Sequence, residues 1–325
     1  MFPRVASPRF LALAGTVVLW ASAFPAIRVG IDGLGVAGLS FLRLVVAALA
    51  LTLVAPFTGV RLPRRRDLPM VALSGATGMT AYQVLLNWGE VHVAAGTASL
   101  LISVAPVFSV LLGTAFLGER LTGRIVVGSV IALGGAAIVS LAEGTSGFTV
   151  SSLVVLAAAV VQGVYHFSSK PLLRHYTGLE VATYAMVAGT VFALPLAPAT
   201  WHAAAHAPAD ALVSALYLGL LPSALGFVIW AYAVARLPLA AATAALYLVP
   251  PVALAVSFVW LGEVPHAIEV AGGAVSVAGV VLINRRTAAR RSPGTLRSPG
   301  TAALDTSGAT ADDQGDRSQQ GAVRA

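Results

Sequence analysis

Ten long stretches of this chain contain no Asp, Glu, Lys or Arg: residues 10–27, 44–60, 68–89, 91–118, 125–142, 144–169, 181–209, 211–235, 237–262 and 270–284. Most match the roughly 20 residues a helix needs to cross a hydrocarbon layer of about 30 Å. The two shortest extend by a flanking charged residue whose head reaches for the interface. The second helix is therefore expected from near Leu39, with Arg43 in it, and the tenth from near Ala267, with Glu269 in it. With 58% hydrophobic and 10% charged residues among 325, no single soluble core hides so much apolar surface. The runs are continuously apolar rather than alternating, which selects helices over membrane strands. An all-α integral membrane protein with ten transmembrane helices is the expected class.

Charge supplies the orientation. The formal net charge of +7 suggests a nucleic-acid partner, but its distribution argues for a membrane instead. With the N-terminus inside, 18 of the 20 Lys and Arg fall on cytoplasmic segments, and only Arg28 and Arg43 lie toward the outer side. This bias predicts a multi-pass protein of the cell membrane with both termini cytoplasmic. The stretch Phe10 to Ile27 follows Arg4 and Arg9 like a signal peptide, yet another apolar run follows at once, so it reads as a retained helix. From about Thr287 the chain becomes rich in Ser, Gly, Pro, Asp and Gln and repeats Arg-Ser-Pro-Gly at 291–294 and 297–300, the composition of a disordered cytoplasmic tail. The chain has no cysteine, and His92, His175, His202, His206 and His266 show no ligand spacing, so neither metal nor cofactor is expected.

The chain also contains itself twice. Leu117-Gly118-Glu119 and Leu261-Gly262-Glu263 lie 144 residues apart, and each Glu follows a proline, Pro106 or Pro250, by thirteen residues. Gly75 and Gly219, Gly128 and Gly272, and Gly135 and Gly279 keep that same offset. Five crossings per copy turn the second copy upside down, so the ten helices are expected as two inverted five-helix repeats. The boundaries are 1–9 for the N-terminus, 10–142 and 143–286 for the repeats, and 287–325 for the tail.

The stretch Pro106 to Thr122, continuing into Gly128 and the Gly134-Gly135 pair, resembles the repeat unit of the EamA-type branch of the drug/metabolite transporter superfamily, and Pro250 to Glu263 with Gly272 and Gly279 resembles it again. Trp20, Ser22, Phe24, Pro25 and Arg28, followed by Phe41 and Arg43, look like the family's first two helices. The resemblance covers roughly residues 10–285. It implies a secondary transporter of a small organic metabolite, with export of amino acids, amphipathic metabolites or drugs as the leading reading and proton exchange as the coupling. One departure is that Val264-Pro265 replaces the basic residue that follows the first Glu.

Other readings stand beside it. No Gly-x-x-x-x-Gly-Lys-Ser/Thr loop occurs, so energy must come from a gradient. The alternatives are a channel or facilitator, a nucleotide-sugar-type transporter, which the lack of clustered basic residues disfavours, and an intramembrane enzyme, for which no motif appears.

Polar and aromatic residues inside the apolar runs are the candidates for a substrate cavity between the repeats. They are Trp20, Ser22 and Phe24; Tyr82, Gln83 and Asn87; Ser99 and Ser103; Gln162, Tyr165 and His166; Tyr184; Trp230; and Thr243 and Tyr247. An interhelical hydrogen bond is the competing account for Gln162, Asn87 and His166. Trp88, Tyr217 and Trp260 read as interfacial anchors. Arg43 either snorkels or meets an anion, and His166 is the candidate proton carrier. Glu119 and Glu263 are expected to bond backbone donors at the start of the next helix, with a proton relay as the alternative. Pro106 and Pro250 read as cavity-shaping hinges. The small residues Gly128, Gly134, Gly135 and Ala136, and Gly272, Gly273, Ala274, Ser276 and Gly279, read as close helix packing, or as the face of a homodimer.

Overall fold

The computed structural model describes residues 7–92, 101–142, 150–261 and 266–284, and among these there is no strand. Ser99, Glu263 and the tail from 287 lie outside the described residues, as do the side chains of Ala136, Trp260 and Glu269. In chain order the α-helices are α1 (Pro8–Ala21), α2 (Ala23–Thr58), α3 (Leu68–Ser74), α4 (Tyr82–His92), α5 (Ala105–Leu117), α6 (Gly123–Ala142) and α7 (Val150–Leu172). They continue as α8 (Gly178–Phe192), α9 (Ala197–His206), α10 (Ala209–Leu218), α11 (Gly226–Val234), α12 (Leu239–Thr243), α13 (Val249–Leu261) and α14 (Ala267–Asn284).

Among the described residues, Pro8–Thr58, Leu153–Leu172 and Ala209–Val234 are long and apolar enough to cross a membrane. The pair Gly178–Phe192 and Leu194–His206, bent by 50°, makes a fourth candidate, and Ala105–Leu117, Gly123–Gly135, Leu239–Ala253 and Val270–Ile283 are shorter apolar helices. Leu53, Phe116, Val130 and Val213 stand exposed on their surfaces, as they would toward lipid tails.

The breaks have local causes. Within α2, Gly35 adopts φ 66° and ψ 174°, a conformation that only glycine enters freely, and the chain turns there. The first helical rod therefore runs through Leu34 and carries the exposed Arg28 and Asp32 past the apolar stretch. Gly118, at φ 69°, closes α5. Pro106 and Pro250, expected inside helices, instead stand in the opening turns of α5 and α13, where a missing N–H leaves no bond unmade. A turn at 103–104 and the 3₁₀ stretch Ala244–Leu248 precede them.

Two further breaks recur at the offset of 144. Gly75–Ala81 and Gly219–Leu225 are both π-helical, each inside an otherwise α-helical rod. The first glycine of each lies hard against a neighbouring helix. A Cβ on Gly219 would sit 3.0 Å from the carbonyl oxygen of Arg43 and 2.5 Å from Val46 Cγ1. On Gly75 it would sit 3.0 Å from the carbonyl oxygen of Ala185 and 2.6 Å from Ala188 Cβ.

The halves interlock: α2 packs against α10, α1 against α11, and α7 against both α4 and α5. Helices α6 and α14 make the most extensive pairing, and they run antiparallel, because Gly128 meets Gly279 and Ile283 while Gly135 meets Gly272 and Ser276. Ser276 Oγ donates to the carbonyl oxygen of Ala132 at 3.0 Å. Gly128, Gly135, Gly272 and Gly279 are thus taken up by contact within one chain, whereas Gly134 and Ala274 of the same small-residue stretches stay exposed.

Candidate functional site

The interruptions at Ser22, at 103–104 and at Ala244–Leu248 converge on an open cavity with about 720 Å³ of atom-free space, the solvent space at its mouth included. Its walls are Trp20, Ala23, Phe24 and Ile27 of the first rod, Arg43 of α2, and Tyr82, Gln83 and Leu86 of α4. Ile102, Ser103 and Ala105 come from the break before α5, Gln162 from α7, Phe227 from α11, and Leu246, Val249 and Pro250 from the junction into α13. Most of the lining is apolar, as in small-molecule sites generally, with few polar groups to orient a ligand.

Arg43 is the charge in this wall. It is 3% exposed, and its Nε and Nη2 both donate to Ser223 Oγ, at 3.2 and 3.0 Å. Its Nη1 has no partner. Ser223 belongs to the π-helical turn Gly219–Leu225, so the backbone irregularity brings the hydroxyl to the guanidinium. The same turn leaves the carbonyl oxygen of Pro222 to accept from Trp20 Nε1 at 3.1 Å. Snorkelling does not describe this arginine, which is packed inside the protein.

Gln162 lies at the head of a polar chain. Ser109 Oγ donates to the carbonyl oxygen of Ala105 at 3.0 Å and lies 2.8 Å from His166 Nδ1. His166 Nε2 lies 3.4 Å from Gln162 Nε2. The consistent proton assignment puts hydrogen on Nδ1, donating to Ser109, and lets Nε2 accept from the Gln162 amide nitrogen. Gln162 Oε1 is then left without a partner, as is Oε1 of Gln83. His166 is fully buried and does not line the cavity.

Trp20, Phe24, Tyr82, Gln83, Ser103 and Gln162, anticipated from sequence, do line the cavity. The other candidates among the described residues lie elsewhere. Ser22 bonds Tyr217 at 2.7 Å, which also ties Tyr217 to the first rod rather than leaving it a simple interfacial anchor. Asn87 donates to Ser40 at 2.8 Å, and Thr243 to the carbonyl oxygen of Leu239 at 2.9 Å. Tyr165 and Trp230 form an aromatic wedge with Phe227, Trp20 and His166, the ring centroids 4.9 to 5.5 Å apart. Tyr247 is buried on the far side, toward Ala132 and Val280. Trp88 stacks on His92 with centroids 4.0 Å apart.

Tyr184 belongs to a separate clasp. Its hydroxyl donates to the carbonyl oxygen of Arg61, while Arg61 binds Glu180 through Nε at 2.8 Å and Nη2 at 3.2 Å. Thr177 and Glu180 cap α8 reciprocally. The hydrogen bond to Glu180 raises the pKa of Arg61 above its ordinary value.

Glu119 meets backbone donors, as expected, but not those of the next helix. Its carboxylate accepts from the amides of Leu239 at 2.8 Å and Ala240 at 3.3 Å, which open α12 in the other half of the chain. Lys170 Nζ donates to the carbonyl oxygens of Val234 and Leu237, at the end of α11. The two side chains thus satisfy opposite ends of helices meeting in one turn.

Ala23, Ile27, Leu86, Ile102, Ala105, Phe227, Leu246 and Val249 line the cavity without standing out in the sequence. An apolar residue in an apolar helix carries no local signal of the face it presents, and only the break points beside these residues mark them.

A model of the EamA-like transporter family matches the chain twice, over residues 8–141 and 149–285. The probable terminal-alkyne amino-acid exporter of Streptantibioticus cattleyicolor is 68% identical over 280 residues, covering 86% of this chain and 94% of that one. The uncharacterized transporter YdfC of Bacillus subtilis is 36% identical over 218 residues, 67% of this chain and 71% of its own. The pseudopaline exporter CntI of Pseudomonas aeruginosa is 28% identical over 157 residues, 48% of this chain and 54% of its own. A solved crystal structure with 19% identity superposes with a TM-score of 0.69 over 85% of this chain and 96% of that one, a likeness of fold. The chain belongs to the EamA-like transporter family, as an all-helical, multi-pass membrane protein.

Proposed function

We propose that this protein is a secondary exporter of small amino acids with apolar side chains, working by alternating access. The observation that carries the reading is the cavity itself, apolar and aromatic over most of its wall, with one buried guanidinium that meets no acidic side chain among the described residues. A single fixed cation matches one carboxylate; a nucleotide sugar brings a diphosphate, for which two or more cations would be expected. The 68% identical relative, named as an amino-acid exporter, supports the same substrate class.

In this reading the rods form ten spans in two inverted five-helix repeats, with both termini cytoplasmic in the cell membrane. The antiparallel pairing of α6 with α14 and the π-helical turns 144 residues apart support it. Transport proceeds as one set of helices rocks against the other around the cavity, driven by a gradient, with proton exchange as the coupling. In this reading the Glu119 and Lys170 bonds at the turn between α11 and α12 tie the two halves together on the cytoplasmic side.

The test is counterflow. Proteoliposomes preloaded with unlabelled L-propargylglycine, a small terminal-alkyne amino acid, should accumulate the labelled compound transiently and saturably, faster under an imposed pH gradient. Flux that never saturates and shows no counterflow would make the protein a channel instead.

A further inference from the structure

We propose that the cavity holds a zwitterion by both ends: Arg43 takes the carboxylate, and the side-chain carbonyl oxygens of Gln83 and Gln162 take the ammonium. The inference rests on the amino-acid reading above and assigns its recognition chemistry. Three residues that line the cavity each carry a buried polar atom without a partner among the described residues, namely Arg43 Nη1, Gln83 Oε1 and Gln162 Oε1. One is a cationic donor and two are neutral acceptors. A buried polar atom without a partner is costly, and a buried charge more so, unless something else completes it. An α-amino acid brings the complementary set, an anionic acceptor and a cationic donor joined through one carbon.

The fold does not explain these groups. The ion pairs of Arg61 with Glu180 and of Arg66 with Asp67 involve no cavity residue. At the matching contact of the other half, where Gly75 abuts a helix carbonyl as Gly219 abuts that of Arg43, the residue is Ala185. That position packs without an arginine. Gln162 in turn is oriented: His166 engages its nitrogen, which leaves its oxygen unpartnered. Ser223 holds two of the guanidinium donors and leaves the third. Arg43 and Gln162 are thus each pre-organised by a neighbour that does not itself line the cavity. The remaining wall, with Trp20, Phe24, Ile27, Phe227 and Leu246, is apolar and receives the side chain.

The experiment is titration calorimetry on the full chain in mild detergent with three probes: L-propargylglycine, its carboxamide, which keeps only the ammonium, and 4-pentynoate, which keeps only the carboxylate. The wild-type chain should bind the amino acid more than about tenfold tighter than either one-ended probe, the loss expected for a charge-assisted bond. Arg43→Gln should bring the amino acid and its amide to near-equal affinity. Gln83→Leu and Gln162→Leu should instead bring the amino acid and 4-pentynoate together. Should Arg43→Gln fail to fold, Arg43→Lys, which keeps the charge and loses the planar fork, should narrow the gap between the amino acid and its amide without closing it, and an unchanged gap would count against the guanidinium contact. Variants that weaken all three probes equally would overturn the clamp and leave these residues structural. So would wild-type binding of 4-pentynoate as tight as that of the amino acid. A wild-type chain that binds none of the three would sink the amino-acid reading, and the clamp with it.

Discussion

Gly134 and Gly135 are neighbours on α6 with opposite surroundings, and substituting each by alanine separates the effect of helix pairing from that of helix propensity. A Cβ on Gly135 would lie 2.3 Å from the backbone nitrogen of Ser276 and 2.6 Å from the carbonyl oxygen of Gly272. Both obstacles are backbone, so relief requires α6 and α14 to move apart. Separation also stretches the bond from Ser276 Oγ to the carbonyl oxygen of Ala132. Overpacking costs about 1–3 kcal/mol and a lost hydrogen bond about 1 kcal/mol, against a propensity gain of about 1 kcal/mol for leaving glycine. Gly135→Ala should therefore destabilise by about 2 kcal/mol. At Gly134 a Cβ meets nothing within 4 Å, so Gly134→Ala should gain the propensity term alone, and the two variants should differ by about 3 kcal/mol. Tryptophan fluorescence during thermal unfolding in detergent reads this as midpoints several degrees apart, on either side of the wild-type value. Gly279→Ala should match Gly135→Ala, because its Cβ would lie 2.5 Å from the Ala132 nitrogen and 2.6 Å from the Gly128 oxygen. Equal midpoints for Gly134→Ala and Gly135→Ala would refute the α6–α14 contact and the antiparallel pairing drawn from it.

Three more outcomes are expected. Glu119→Ala should lower thermal stability by about 1–2 kcal/mol by uncapping α12, with Glu119→Gln recovering part of it; an unchanged midpoint for the alanine variant would break the link between the halves. Ser223→Ala frees two donors of a buried guanidinium, so L-propargylglycine affinity should fall about tenfold with a smaller change in midpoint; unaltered affinity would show that Ser223 does not position Arg43. His166→Leu releases Ser109 and Gln162, and counterflow should drop by a similar factor at every pH between 5.5 and 8, whereas a flattened pH profile would make His166 a proton carrier.

The helical class was legible because lipid demands it: ten apolar runs with basic residues between them leave a chain little alternative to membrane helices. The small-residue faces of α6 and α14 were legible for the same kind of reason, since glycine and serine at helical spacing permit close approach. Hydrogen-bond partners were not. Glu119 binds amides 120 residues away, and Arg43 binds a hydroxyl 180 residues away, so neither contact has a local signal. Nor was either π-helical turn visible, because one extra residue in a turn leaves the apolar run uninterrupted. Tyr184 was misplaced for a related reason: a tyrosine near a helix start has the same composition signal whether its hydroxyl reaches a cavity or the carbonyl of Arg61. What sequence did mark was the polar residue that apolar surroundings make expensive, and Gln83, Gln162 and Arg43 are of that kind.

The two halves agree in backbone and disagree in side chain, and the disagreement falls at the cavity. Both carry a π-helical turn opening on a glycine that abuts a partner helix, so the turn belongs to the shared fold. Four residues into one turn stands Ser223, bonded to Arg43; four residues into the other stands Met79, packed against Gly189, with Ala185 at the matching contact. A cavity between related halves offers similar surroundings from both sides, but an amino acid has unlike ends, so one half has to supply what the other lacks. The guanidinium in one half alone is what such a ligand requires. It also separates two kinds of damage: changes at the glycines of the turns should weaken both halves' packing, whereas changes at Arg43 or Ser223 should alter what the cavity distinguishes while the helices keep their places.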